Sequence, residues 1–334
     1  MPENRQVLID SLPEDKLDES NYRMESSVVP DPGDGEVLCR TLVVTVGAGN
    51  RAALQGSASY AGAPKTDVVM NSAGVSRVEK SNDASVKEGD LVLCRSGWQD
   101  YSVHPARDLT PVADGIDPAH YLGVLGTNGL TAYFGLLDVG RPQAGETVLV
   151  SAAAGSVGHM VGQMARIKGC DAVGITSTDE KCRVLTGPCG FNRAVSYRSP
   201  DFRAELKEAC PAGVDVYFDN TGGDILGSAL FRMNVNGRIA CCGAVSQYDT
   251  GKPAAGPRGI PGLLVTKRIR MEGFLVFDFA ARYDEARAEI RGWVDSEKLN
   301  PIQDEFTGLE QAPRAFVDLL AGGNVGTRII RILD

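Results

Sequence analysis

Two hydrophobic rhythms divide the chain. From residue 1 to about 122, β-type runs such as EVLCRTLVVTV, DVVMNSAGVSRVEKS and GDLVLCRSGWQDYSV are short and split by Gly, Asn and Asp. That punctuation predicts a compact, barrel-like β domain. Further along, TVLVSA, DAVGITS, VDVYFDN, GRIACCGA and RMEGFLVFD are brief Val/Ile-rich runs that read as buried strands. Helix-spaced apolar residues, Val157, Met160, Val161 and Met164 among them, lie between such runs. Strand and helix in alternation predict a parallel sheet with crossover helices. GKPAAGPRGIPG, residues 251–262, has no period and reads as a loop, either a flap over a pocket or a surface connection. The amphipathic run EQAPRAFVDLLAGG then precedes a β-type end, VGTRIIRIL, expected to return to the first domain.

One stretch, ETVLVSAAAGSVGHMVGQMARIKG at 146–169, departs from ordinary core design, because nothing larger than serine stands between Ser151 and Ser156. Ala153, Gly155 and Gly158 fill the three small positions of a phosphate-binding turn. A strand is expected before them and a helix after, over about 157–168, with Gly169 as its C-terminal stop. Bare backbone plus a helix N-terminus suits a pyrophosphate. The bland alternative is a packing turn without a ligand. An acid at the end of the next strand would bind ribose hydroxyls and repel a 2′-phosphate. Here Gly174, Ile175, Thr176 and Ser177 carry none, which permits NADPH. Lys181 lies just beyond, either paired with that phosphate or simply a solvated helix lysine.

With 334 residues, 43% hydrophobic and 23% charged, the chain suits two soluble domains. No run of about 18 apolar residues predicts a membrane span. The polar, acidic N-terminus has no leader pattern, so a cytoplasmic protein is expected. A net charge of −9 argues against nucleic-acid and anionic-membrane partners, and the basic KRIR at 267–270 is too short a patch to reverse that. Eight cysteines include no CxxC pair and read as reduced, mostly buried thiols; a redox role for adjacent Cys241 and Cys242 is the lesser reading. His104, His120 and His159 stand apart from suitable Cys or Glu, so no catalytic zinc is expected, and His159 reads as exposed.

AAAGSVGHMVGQMARIKGCDAVGITSTDEK resembles the zinc-independent medium-chain dehydrogenase/reductase superfamily. The branch is the prostaglandin reductase-like one, with its alkenal double-bond reductases and bacterial curcumin reductases. LGTNGLTAYFGLLDVG, VDVYFDNTGGD, CCGAVSQY, RMEGFLVFD and GNVGTRIIRI carry the likeness over nearly the whole chain. It implies an α/β fold with a Rossmann doubly wound parallel sheet (123–301), plus a GroES-like β-barrel domain (1–122 and 302–334), the active site lying in the cleft between them. NADPH is the implied cofactor. The turn at Ala154, Gly155, Ser156, Val157 and Gly158 would hold its pyrophosphate; Lys181 and Tyr197, beside Thr176, its 2′-phosphate. Asn128, Asn220, Cys242, Gly243, Ala244, Ser246, Tyr248, Phe274, Leu275, Val276 and Asn324 would line adenosine, nicotinamide and the riboses.

Two departures affect the pocket. Where members carry Asp-Pro-x-Met-Arg, this chain reads Gly47, Ala48, Gly49, Asn50 and Arg51, a smaller and more flexible wall that keeps Arg51 as a substrate-binding candidate. Where some place a tyrosine before the RMEGF strand, it has Thr266.

The implied reaction is NADPH-dependent reduction of the C=C bond of α,β-unsaturated aldehydes and ketones. The cofactor's ribose hydroxyl and Tyr248 would stabilise the enolate oxygen. Tyr248 could instead be a packing residue. Quinone reduction is the rival activity, and an NADPH-binding protein without turnover the rival class. MEGFLVFDF, if it forms the Rossmann sheet's edge, predicts a homodimer.

Overall fold

The computed structural model describes residues 3–56, 62–113, 115–252 and 256–332. They form two compact units: Met1–Gly123 with Tyr248–Gly251 and Gln303–Asp334, and Val124–Gln247 with Lys252–Ile302.

In the first unit β1 (Glu3–Ile9) pairs antiparallel with β2 (Tyr22–Val28). The long β3 (Glu36–Val46) leads into a short helix, α1 (Gly49–Leu54). β4 (Gly74–Ser81), β5 (Leu91–Cys94), β6 (Tyr101–Pro105), β7 (Thr110–Pro111) and α2 (Pro118–Leu122) follow. Alternation along β3 serves two clusters, as side chains leave opposite faces of a strand. Val44 and Val46 pack with Trp98 and Phe316, whereas Val43 packs with Val75 and Ile329. The segment expected to be flexible is ordered into α1, where the Asn50 and Arg51 N–H groups donate to the Gly47 and Ala48 carbonyls.

The second unit runs α3 (Thr127–Phe134), β8 (Thr147–Val150), α4 (Gly158–Ile167), β9 (Asp171–Thr176), α5 (Asp179–Thr186), β10 (Arg193–Ser196), α6 (Phe202–Ala209), β11 (Val214–Asp219), α7 (Gly223–Arg232), β12 (Met233–Cys241), α8 (Ile260–Lys267), β13 (Arg270–Gly273) and α9 (Tyr283–Asp295). All its strands are parallel, in the order β10-β9-β8-β11-β12-β13. That is the doubly wound Rossmann order, in which ligands sit at the carboxyl ends of the strands where the winding reverses, between β8 and β11. Gly169, at φ 82°, ends α4: its N–H donates to Arg166 O and that of Cys170 to Ala165 O, a Schellman closure.

The chain then adds β14 (Gln303–Thr307), α10 (Ala312–Leu320) and β15 (Thr327–Arg331) to the first unit, giving the seven-stranded sheet order β14-β15-β3-β4-β5-β7, with β6 also on β3. The tail strand returns as expected, antiparallel to β3.

Two sequence readings change. RMEGFLVFD forms a strand only through Gly273, because the Leu275 N–H turns back to the Asp278 carboxylate at 3.3 Å and opens a 3₁₀ segment, Val276–Arg282. The Gly/Pro-dense loop gives way to α8 at Ile260, where Pro261 occupies the first turn, the place a helix tolerates it. The part of that loop at 253–255 lies outside the described residues. Among the described residues no helix is long and apolar enough to cross a membrane.

Candidate cofactor and active site

The small-residue turn leaves β8 through Ala152, whose φ of 46° is unusual for a residue with a Cβ. Its carbonyl accepts from the Gly155 N–H at 2.9 Å. A Cβ at Gly158 would come within 2.4 Å of that oxygen and one at Gly155 within 3.2 Å. α4 starts at Gly158 with no side-chain cap, so its N-terminal dipole faces this turn. Backbone without side chains beside an uncapped helix start suits a pyrophosphate. Ala154 is buried, and Gly155, Ser156 and Val157 are half-buried.

His159 does not face solvent. It is buried, with Nδ1 2.9 Å from Gly155 O and Nε2 accepting from the Ile302 N–H at 3.1 Å. The acceptor role at Nε2 places the proton on Nδ1, and burial pushes the pKa down to about 4.

At the winding reversal the organising group is Asp219, buried at the end of β11. Its Oδ1 accepts from Tyr217 Oη at 2.8 Å, from the Gly222 and Thr221 N–H groups at 2.9 and 3.0 Å, and from Ser151 Oγ at 3.2 Å. Burial, and after it the Asp219 charge, drives the Tyr217 hydroxyl well above the usual phenol range. Asn220 is aimed by the same turn: its N–H donates to Ser151 Oγ and its Nδ2 to Ser151 O, at 2.9 and 2.8 Å. The Asp219 carbonyl accepts from Cys242 and Gly243, and Ser246 Oγ donates to Thr221 O at 2.5 Å. Asn220, Cys242, Gly243 and Ser246 therefore gather around one turn beside the glycine loop, with Ala244 between them in the chain. The Cys242 thiol is pushed up to about 12, by burial first and Asp219 second. Asp219 and Ser151 escaped the sequence reading. The signal was present as an acid closing the apolar run VDVYF.

On neighbouring strands, the buried Thr176 ends β9 and accepts from the Tyr197 N–H just past β10, at 2.8 Å. Thr178 caps α5 by accepting from the Lys181 N–H at 3.3 Å. Lys181 and Tyr197 thus follow the carboxyl ends of adjacent strands. The Arg198 guanidinium lies 6.0 Å from the Tyr197 ring centre, a second cation that the sequence reading omitted. Phe274 meets Phe218 edge-on at 6.2 Å; Leu275 is exposed, Val276 buried and Asn128 half-buried in α3.

In the first unit, Tyr248 is half-buried, and Asn324 donates to Gly326 O at 3.0 Å. Arg51 has no exposed surface: Nε donates to Asp249 Oδ1 at 2.9 Å and Nη2 to Asp15 O at 2.5 Å. In the second unit, the Thr266 hydroxyl donates to Gly262 O within its own helix.

Comparison with known proteins places the chain. The family described as the N-terminal domain of oxidoreductase matches residues 5–112, and the one described as zinc-binding dehydrogenase matches 156–291. The NADPH-dependent curcumin reductase of Escherichia coli is 40% identical over 98% of this chain and 97% of its own. This chain is a zinc-independent medium-chain dehydrogenase/reductase. Bovine prostaglandin reductase 1 is 37% identical over 93% of this family member and 94% of its own length. The CurA structure from Vibrio vulnificus in complex with NADPH superposes with a TM-score of 0.94 at 35% identity, covering 99% of both chains. Among the described residues no three His, Cys, Asp or Glu side chains are grouped to hold a metal ion.

Proposed function

We propose that this family member is an NADPH-dependent reductase of the C=C bond in α,β-unsaturated aldehydes and ketones. The observation that carries the cofactor half is the bare turn at 152–158 joined through Ser151 to the Asp219–Asn220 turn, with Lys181 and Tyr197 following the carboxyl ends of β9 and β10. The relatives' activities on curcumin, 2-alkenals and prostaglandins carry the substrate half.

When bound, the dinucleotide supplies a hydride for the substrate's β-carbon. The chain's own residues do the rest. Gly155 and Gly158 leave room for the phosphates, and Lys181 and Tyr197 meet the 2′-phosphate. Asn220, held on Ser151, orients the ribose or carboxamide end. As negative charge gathers on the substrate's carbonyl oxygen, the Tyr248 hydroxyl donates a hydrogen bond to it, a contact worth a few kcal/mol, about 3, in a water-poor site. Water or Tyr248 then protonates the α-carbon. Cys242, Gly243, Ala244, Ser246, Phe274, Leu275, Val276, Asn128 and Asn324 complete the lining.

A cytoplasmic setting, expected from the sequence, belongs to this reading. A homodimer through β13 is part of the same reading. This strand ends the sheet order, and Phe231, Val235, Val265, Leu275 and Phe277 are exposed large apolar side chains of the same unit.

The test is oxidation of NADPH by 3-nonen-2-one. Turnover is expected, with NADPH favoured over NADH. Lys181→Ala should raise the KM for NADPH about tenfold, the loss of one charge-assisted hydrogen bond, and leave that for NADH unchanged. Reduction of saturated ketones without turnover of the enone would refute the double-bond reading.

A further inference from the structure

A guanidinium with no exposed surface needs a reason to be buried, since its desolvation must be offset by partners. In the first unit the reason lies at both ends of Arg51. Nε meets Asp249 Oδ1 at 2.9 Å and Nη2 meets the Asp15 carbonyl at 2.5 Å. The same Asp249 Oδ1 accepts from the Leu17 N–H at 2.7 Å, and the Gly251 N–H donates to Asp15 Oδ1 at 2.8 Å. Gln55, just past α1, donates to Thr250 O at 3.2 Å. Every residue from Asp249 to Gly251 is therefore tied to α1, to Gln55 at its end or to the strip at 15–17. In sequence the segment is an excursion, since the residues on either side of Tyr248–Gly251 belong to the second unit.

We propose that Arg51 is a positioning residue: its buried ion pair with Asp249 fixes the short segment that begins at Tyr248, and so sets where the tyrosine hydroxyl sits during reduction. Arg51 does not itself touch substrate. The inference rests on the reading of Tyr248 given above, and it assigns this arginine a role through the adjoining backbone. Misplacing a reacting group by about 1 Å can cost up to about 100-fold in rate.

The experiment uses the full chain with NADPH and 3-nonen-2-one. Arg51→Met should lower kcat about tenfold or more while the Kd for NADPH stays within about twofold, and Arg51→Lys should recover part of the loss. Combined with Tyr248→Phe, Arg51→Met should lower kcat no further, because both act at one hydroxyl. Hydrogen exchange at the Leu17 amide should speed up about tenfold in Arg51→Met, as its acceptor loses its anchor. Asp249→Asn, which keeps the acceptor oxygen and removes the charge, should move kcat and exchange in the same direction and serves if Arg51→Met does not fold. Equal rate losses in the Tyr and Phe backgrounds, or unchanged Leu17 exchange, would overturn the proposal. Tyr248→Phe with unchanged kcat would overturn the tyrosine reading itself, and the exchange rate separates that failure from a failure of the clamp.

Discussion

His159 carries a measurable consequence by itself. Its ring is fixed as the neutral form by the Ile302 N–H on one nitrogen and the Gly155 carbonyl on the other. In the unfolded chain it takes a proton near 6.5, and in the folded protein only near 4. Between those values the unfolded chain binds more protons, so stability is full above pH 6.5 and falls as pH drops toward 4. The gap corresponds to on the order of 3 kcal/mol. The melting temperature of the NADPH-free protein should fall across this window, and His159→Gln should flatten that part of the slope. An unchanged slope in the variant would show that other groups carry it. The sequence concealed this residue because its partner lies 143 positions away. Arg51 was singled out as a substrate-binding candidate, but its ion pair was hidden for the same reason, with Asp249 198 positions on. By contrast Gly155 and Gly158 were readable, because the constraint on them is local and written in adjacent letters.

At the scale of the strand–turn–helix element, the two glycines are not equivalent. A methyl group at Gly158 would strike Ala152 O at 2.4 Å and Ala153 Cα at 2.7 Å, backbone atoms that cannot rotate away. At Gly155 the only close neighbour among the described residues is Ala152 O, at 3.2 Å. Gly158→Ala should therefore weaken NADPH binding more than about tenfold and lower the melting temperature by several degrees, with Gly155→Ala milder on both counts. Calorimetric titration and a thermal scan rank them, and the reverse order would contradict the close approach. The alternation of strands and helices was legible because buried parallel strands are short, near-continuous apolar runs. It failed at 274–279, where apolar side chains continue but the backbone does not. Phe274 packs on Phe218, and the Asp278 carboxylate bends the chain into a 3₁₀ turn. An apolar run alone does not separate these outcomes.

For the whole molecule, the edge at β13 sets the expected assembly. Among the described residues its backbone pairs only with β12, and light scattering at micromolar concentration should report a dimer. Substituting Phe277 and Val265 with Asp or Lys should shift it to monomer, whereas a monomeric parent protein would remove the assembly from the account. The parallel sheet owes its legibility to contiguity, as all six of its strands fall within residues 147–273. The other sheet sets β15 between β14 and β3, an interior place supplied by residues 327–331. A ribosome releases those residues late. The dinucleotide-binding half can thus complete its sheet while the amino-terminal half, made first, still waits for its missing strand, so on a growing chain the order of birth and the order of completion run in opposite directions.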